Sequence, residues 1–135
     1  HHGVIDKYIG DAIQAVFYEK QGLTTPAERA CASALAMRSQ LQQLNKRRAE
    51  EGLFPLENGI GIATGRAVSG SIGSENGRKD FTIVGRLQTG GLLGDSATIN
   101  VKSRILVCNN TKMAVAGTFA FADHDANSWE LKNGN

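Results

Sequence analysis

Residues 4–9, Val-Ile-Asp-Lys-Tyr-Ile, alternate with a period of two, which predicts a β-strand with Ile5, Lys7 and Ile9 on one face and Val4, Asp6 and Tyr8 on the other. Gly10-Asp11 is a tight-turn pair, and residues 12–18 read as a second strand, so 4–18 is expected to form a hairpin. The period then changes. Ala30, Ala34, Met37, Leu41 and Leu44 recur at gaps of four and three, one apolar face of a helix. Thr25-Pro26-Ala27-Glu28 supplies an N-cap, a proline at the first helical position and a glutamate at the third, and Gly52 is a natural stop. A helix over 26–51 would be about 39 Å long. Its far end, residues 46–51, is polar all round and reads as a solvated helix end.

The second half is rich in short strands. Residues 57–65 and 66–73 read as two glycine-rich strands joined near Gly65, with Gly70, Gly73 and Gly77 marking a flexible connection. Strands follow over 79–85, 104–108, 118–124 and 129–132, with a short helix over 110–116. Hairpins and isolated helices, rather than strict strand–helix alternation, indicate an α+β domain.

The 135 residues suffice for one domain with its own core. Fifteen Lys and Arg against thirteen Asp and Glu leave a net charge of +2, too balanced to imply nucleic acid or an acidic membrane as partner. No stretch approaches the 18–20 apolar residues of a membrane span, and no signal peptide is visible. Cys31 and Cys108 lie far apart, without zinc-like spacing, and read as two reduced, partly buried thiols of a reducing compartment. Residues 59–65 have the wrong spacing for a dinucleotide-binding glycine motif.

Taken singly, the remaining features are weak. Asp11 could be turn chemistry, Lys7 an edge-strand charge that guards against aggregation, and Thr82 a routine β-branched strand residue. Four segments taken in order say more: residues 3–13, running Gly-Val-Ile-Asp-Lys-Tyr-Ile-Gly-Asp-Ala-Ile; Glu28-Arg29-Ala30-Cys31 on the helix; Gly59-Ile60-Gly61-Ile62-Ala63-Thr64-Gly65 followed by Gly70-Ser71-Ile72-Gly73; and Asp80-Phe81-Thr82-Ile83-Val84-Gly85. In this order and spacing they closely resemble the class III adenylate/guanylate cyclase catalytic domain, and residues 103–134 are similar to that family's C-terminal strand, helix and hairpin.

The resemblance implies a ferredoxin-like α+β palm, antiparallel-rich, with helices packed on one face and without the first strand and helices. It implies conversion of ATP to cyclic AMP and pyrophosphate by a head-to-tail homodimer or a paired cyclase domain, in a cytoplasmic domain of whatever longer parent carries it. Two Mg2+ or Mn2+ ions would clamp the attacking and leaving oxygens, a task for hard oxygen ligands. Asp11 matches the second metal aspartate. The first is expected upstream of His1, so the fragment alone is expected to be inactive. Lys7 matches the purine-reading lysine and Thr82 its partner, a pairing that leans toward ATP over GTP.

The match breaks after Gly85, where the family carries an Asn that orients the ribose and, four residues later, an Arg that stabilises charge on the phosphates. In an ungapped register these positions fall on Thr89 and Leu93, and both functions are lost. In a shifted register Gly94-Asp95 takes the place of the family's Gly-Asp, and Asn100 and Arg104 fall four apart. The long tail match favours the ungapped register, as do Gly90, Gly91 and Gly94, each opposing a helix by about 1 kcal/mol relative to Ala. That leaves a second reading, a degenerate cyclase-like module for dimerisation or nucleotide binding without turnover, and a third, an unrelated α+β binding domain.

Overall fold

The computed structural model describes residues 1–10, 12–68, 78–85, 104–125 and 128–132. Strands β1 (Val4–Ile9) and β2 (Ala12–Tyr18) form the expected antiparallel hairpin. A bulge between Ile5 and Lys7 interrupts it: Ile5 pairs with Ala15, but Lys7 pairs with Gln14. An extra residue in one strand breaks the two-residue alternation. Ile5 and Lys7 therefore stand opposite adjacent residues of β2 rather than alternate ones.

Helix α1 (Pro26–Glu50) begins where its capping sequence demands. Thr25 Oγ1 accepts from the Glu28 backbone N–H at 3.3 Å. It ends in a two-bond C-terminal cap in which Gly52 N–H donates to Ala49 O and Leu53 N–H to Arg48 O, with Gly52 at φ +76. Such a cap needs the left-handed conformation that glycine adopts without steric cost. The polar end is not simply solvated. Asn45 and Arg48 hold the returning chain, with Asn45 Oδ1 accepting from Leu56 N–H, its Nδ2 donating to Leu56 O, and Arg48 Nε donating to Phe54 O.

Strand β3 (Ile60–Val68) runs unbroken through Gly65 and pairs antiparallel with β4 (Arg78–Gly85), where two strands joined near Gly65 were expected. Gly65 lies opposite Phe81, whose ring would sit 3.4 Å from a Cβ at that position. An aromatic cross-strand neighbour covers the bare glycine, so it continues a strand instead of ending one. Residues 69–77 lie outside the described residues. Strand β5 (Ile105–Cys108) runs into helix α2 (Asn109–Ala114), and β6 (Phe121–Asp123) pairs with β7 (Ser128–Leu131). Each is shorter than its sequence pattern or shifted by a residue or so, the usual error at element ends.

Among the described residues one seven-stranded sheet has the order β1-β2-β4-β3-β5-β7-β6, antiparallel except for β3 with β5. The class is α+β, compatible with a ferredoxin-like palm. Phe17, Val84, Ile60, Ile62, Ile105, Val107 and Leu131 meet Ala27, Ala30, Cys31 and Ala34 of α1 and Val115 after α2 in one core.

The start of α1 is fixed by Arg29, which is 5% exposed. Its Nε donates to Thr24 O at 3.0 Å, its Nη1 to His2 O at 3.4 Å, and its Nη2 to Tyr18 O. The guanidinium also lies over the Phe17 ring, 5.9 Å from its centroid. Replacing Arg29 with Leu would leave three backbone acceptors without this donor, and buried unsatisfied groups cost about 1–3 kcal/mol each when water cannot reach them. Arg29→Leu is expected to lower unfolding stability by about 2–4 kcal/mol in urea titration, and Arg29→Lys to recover less than half of it, because an ammonium cannot fork to three carbonyls. A loss below about 0.5 kcal/mol, the size of a neutral surface change, would refute the tie.

Candidate functional site

One end of the sheet gathers several of the residues singled out by sequence. The hairpin turn at Gly10, the C-terminal end of β4 at Gly85 and the N-terminal ends of β3 and β5 all lie there, since Ile9 pairs with Ala12, Gly61 with Gly85 and Ile60 with Ile105. Gly85 has φ +146, and a Cβ there would meet Ile13 O at 2.5 Å, so β2 and β4 approach too closely for any other residue. Arg104 sits just before β5 at φ +61, an uncommon conformation for a residue with a side chain, and its carbonyl accepts from Ile60 N–H at 2.9 Å. Its guanidinium is ion-paired with Glu57 at 3.5 Å.

Asp11, Thr89, Leu93 and Asn100 lie outside the described residues. Among those described, no three His, Cys, Asp or Glu side chains converge as metal ligands. Asp6, in β1, is exposed, and its Oδ2 accepts from Gln14 Nε2 at 3.3 Å. The described geometry therefore offers no set of carboxylates against which a two-ion clamp can be fitted.

Lys7 and Thr82 are not brought together. Lys7 pairs with Gln14, and Thr82 with Phe17, so they stand two strands and three residues of register apart. Strand spacing and rise put their backbones about 14 Å from each other. Thr82 is fully buried at 0% exposure. Its Oγ1 is 2.9 Å from Thr64 Oγ1, which is 2.8 Å from Thr111 Oγ1, which in turn is 3.4 Å from Cys108 Sγ. Thr64 N–H donates weakly to the same sulfur at 3.5 Å, and Asn110 Nδ2 donates to Thr64 O at 3.3 Å. A hydroxyl has one proton and two lone pairs, so Thr64 can donate to one neighbour while accepting from the other. The network joins β4, β3, β5 and α2 on the helix-covered face.

Thr64, Thr111 and Cys108 were not anticipated in this role. One signal was present: Thr64 continues the alternation of Ile60 and Ile62, and Thr82 that of Val84, so two adjacent strands each place a polar residue on an apolar stripe. Paired breaks of this kind mark a buried hydrogen bond, because neither hydroxyl can be left alone in the core. Both cysteines are free and buried, more deeply than expected. Burial, and secondarily the nearby Cys108, push the Cys31 thiol from its ordinary 9.0 up to about 12. It is an inert core group at neutral pH.

Over 105 residues the chain is 33% identical to adenylate cyclase 1 of Rhizobium meliloti, covering 78% of this chain and 14% of that protein. Over 86 residues it is 36% identical to uncharacterized proteins of Mycobacterium tuberculosis and Mycobacterium bovis, covering 64% of this chain and 14% of each relative. The chain thus spans about one seventh of the length of these curated relatives. No family model and no solved structure matches it. The partial likeness to a protein named as a cyclase suggests a cyclase-like domain. No helix among the described residues is long and apolar enough to cross a membrane.

Two predictions follow from the buried groups. Thr64→Val strands the Thr82 hydroxyl, leaves that of Thr111 with only the Cys108 sulfur, and is expected to cost about 1–3 kcal/mol in chemical denaturation. Adding Thr82→Val should recover part of that loss, so the two substitutions will be non-additive; strictly additive losses would dissolve the network. Cys31 sets the second. Its folded-state pKa is raised, so the unfolded chain ionises first. Its contribution is intact below pH 9 and is lost as pH rises toward about 12. Cys31→Ala should flatten the alkaline fall in stability over that window, and an identical fall in both proteins would contradict it.

Proposed function

We propose that the chain is part of a nucleotidyl cyclase catalytic domain of the class III adenylate/guanylate type, and that the longer protein converts ATP to cyclic AMP and pyrophosphate in a head-to-tail pair of such domains. The observation that carries this reading is the 33% identity to adenylate cyclase 1 over 105 residues. The hairpin of 4–18, the capped helix carrying Arg29 and the hairpin of β3 with β4 support it, because they arise from the segments that carry the resemblance. In this reading Asp11 is the metal-ligating carboxylate for Mg2+ or Mn2+, Lys7 and Thr82 read the purine, and Arg104 with Asn100 serves phosphate and ribose if the shifted register holds. The ribose 3′-oxygen attacks the α-phosphorus, the bond to the β-phosphate oxygen breaks, and pyrophosphate leaves. Pairing has a physical basis in the hairpin, where Val4, Ile5, Tyr8 and Ile13 are all exposed on or beside the edge strand β1. An apolar sheet edge of that kind favours a covering partner.

The second reading, a cyclase-like module without turnover, is favoured by a specific observation. Thr82 is sealed within its hydroxyl network, its backbone about 14 Å from that of Lys7, while Arg104 is turned onto Glu57.

The test is production of cyclic AMP from ATP and manganese by the chain joined to its native preceding residues, with the product identified by mass spectrometry. Turnover is expected there and not from the 135 residues alone. Asp11→Asn should lower it by about 100-fold or more, since a catalytic cation contributes several kcal/mol of charge stabilisation. No product from the extended protein selects the module reading, and product unaffected by Asp11→Asn removes that residue from the metal site.

A further inference from the structure

Asn58-Gly59 joins the chain returning from α1 to β3. Asparagine followed by glycine is chemically labile. The glycine's backbone nitrogen attacks the asparagine side-chain carbonyl carbon, and no Cβ on the glycine obstructs the approach. A bond forms from that nitrogen to Cγ, the bond from Cγ to the amide nitrogen breaks, and the peptide proton leaves with the amide as ammonia. Water then opens the five-membered imide at either of its two carbonyls, giving aspartate or isoaspartate. Asn58 is exposed, so solvent supplies that water.

One side chain stands against this chemistry. Arg38, on α1, donates from Nη1 to Asn58 Oδ1 at 2.9 Å and, more weakly, to Asn58 O at 3.4 Å. Among the described residues every hydrogen bond of Arg38 goes to Asn58, and its buried Nε has no partner. One nitrogen thus holds both oxygens to one side. In the imide the two carbonyl oxygens flank the glycine nitrogen and point away from each other, with the glycine Cα filling the space between them. A single donor does not reach both, so ring closure must first break a hydrogen bond to a charged group, the stronger kind. A cation on Oδ1 alone would polarise the carbonyl and assist the attack. The second bond, to Asn58 O, turns the contact into a restraint.

We propose that Asn58-Gly59 is a deamidation site kept closed by Arg38, which bridges the two oxygens that ring closure must turn to opposite sides of the Gly59 nitrogen. The site does not depend on the cyclase reading. Its position gives the restraint a purpose in the fold. Isoaspartate would add a methylene to the main chain two residues before Ile60, whose N–H donates to Arg104 O at 2.9 Å and which pairs with Ile105. The restraint therefore guards the register in which β3 enters the sheet.

Two further Asn-Gly pairs, 76–77 and 133–134, lie outside the described residues and serve as references within the same chain. The 135-residue chain and its variants are incubated at neutral pH, and each site is followed by peptide mass spectrometry that reads the amide-to-acid mass gain and resolves isoaspartate. Arg38→Gln should speed the loss of Asn58 by about tenfold, the rate equivalent of one hydrogen bond to a charged group, with the reference sites unchanged. Asn45→Ala frees Leu56 from α1 without removing the Arg38 side chain, and should speed it far less. An unchanged or lowered rate at Asn58 in Arg38→Gln would mean that the contact does not restrain it. Equal acceleration in Asn45→Ala would assign the effect to a loosened segment. Either result overturns the proposal, as does equal acceleration at all three sites.

Discussion

The fold hangs on a buried guanidinium. Arg29 gathers the carbonyls of His2, Thr24 and Tyr18, which belong to the segment before β1, the loop before α1 and the end of β2. A charged group can be taken out of water only if its donors are satisfied. Arg29 meets that condition solely when these three stretches of chain converge on one point. The convergence sets where α1 starts and which face it turns to the sheet. Ala27, Ala30, Cys31 and Ala34 then meet Phe17, Val84 and Ile62. Small side chains on that face let helix and sheet approach closely, so the tie and the alanine stripe are two halves of one constraint.

Much of this architecture was legible. The hairpin, the helix with its cap and stop, and the short strands of the tail follow from periodicity and terminal residues. What was not legible is how far the apolar face of α1 would be used. Ala30 and Ala34 are buried, but Met37, on the same stripe, is 39% exposed. At 1.5 Å per residue the 25-residue helix is about 37 Å long, and a strand of seven residues such as β2 spans about 24 Å. The helix outruns the sheet. Its last turns hold the returning chain through Asn45 and Arg48, a tertiary fact that no helical period encodes.

For the candidate site the sequence names residues and leaves their geometry open. Lys7 and Thr82 are named by sequence, but their relation depends on register, and register is set across strands. The bulge between Ile5 and Lys7 shifts the pairing by one residue, and nothing local in Val4–Ile9 announces it. Thr82 reads as an ordinary strand residue until β3 is laid beside β4 and Thr64 falls opposite it. The unbroken passage of β3 through Gly65 has the same origin, since only the facing Phe81 makes that glycine a strand position.

The two ends of the sheet are physically unlike. At one end Arg29 fastens three segments by hydrogen bonds, one of them to the carbonyl of His2, itself at φ +67. At the other, three residues that end or abut strands take positive φ: Gly10, Gly85 and Arg104. Two of them are glycines, for which the conformation costs little, but Arg104 carries strain of about 1–3 kcal/mol that persists only because its surroundings hold it. They do so through the Ile60 N–H on its carbonyl and Glu57 on its guanidinium. Strain persists where structure around it over-determines the backbone, and each end has one such residue with a side chain, His2 held by Arg29 and Arg104 held by Ile60 and Glu57. The Gly10 turn, the Gly85 crossing and Arg104 all fall at the second end, so chemistry sought there can draw on a sheet anchored firmly at the first.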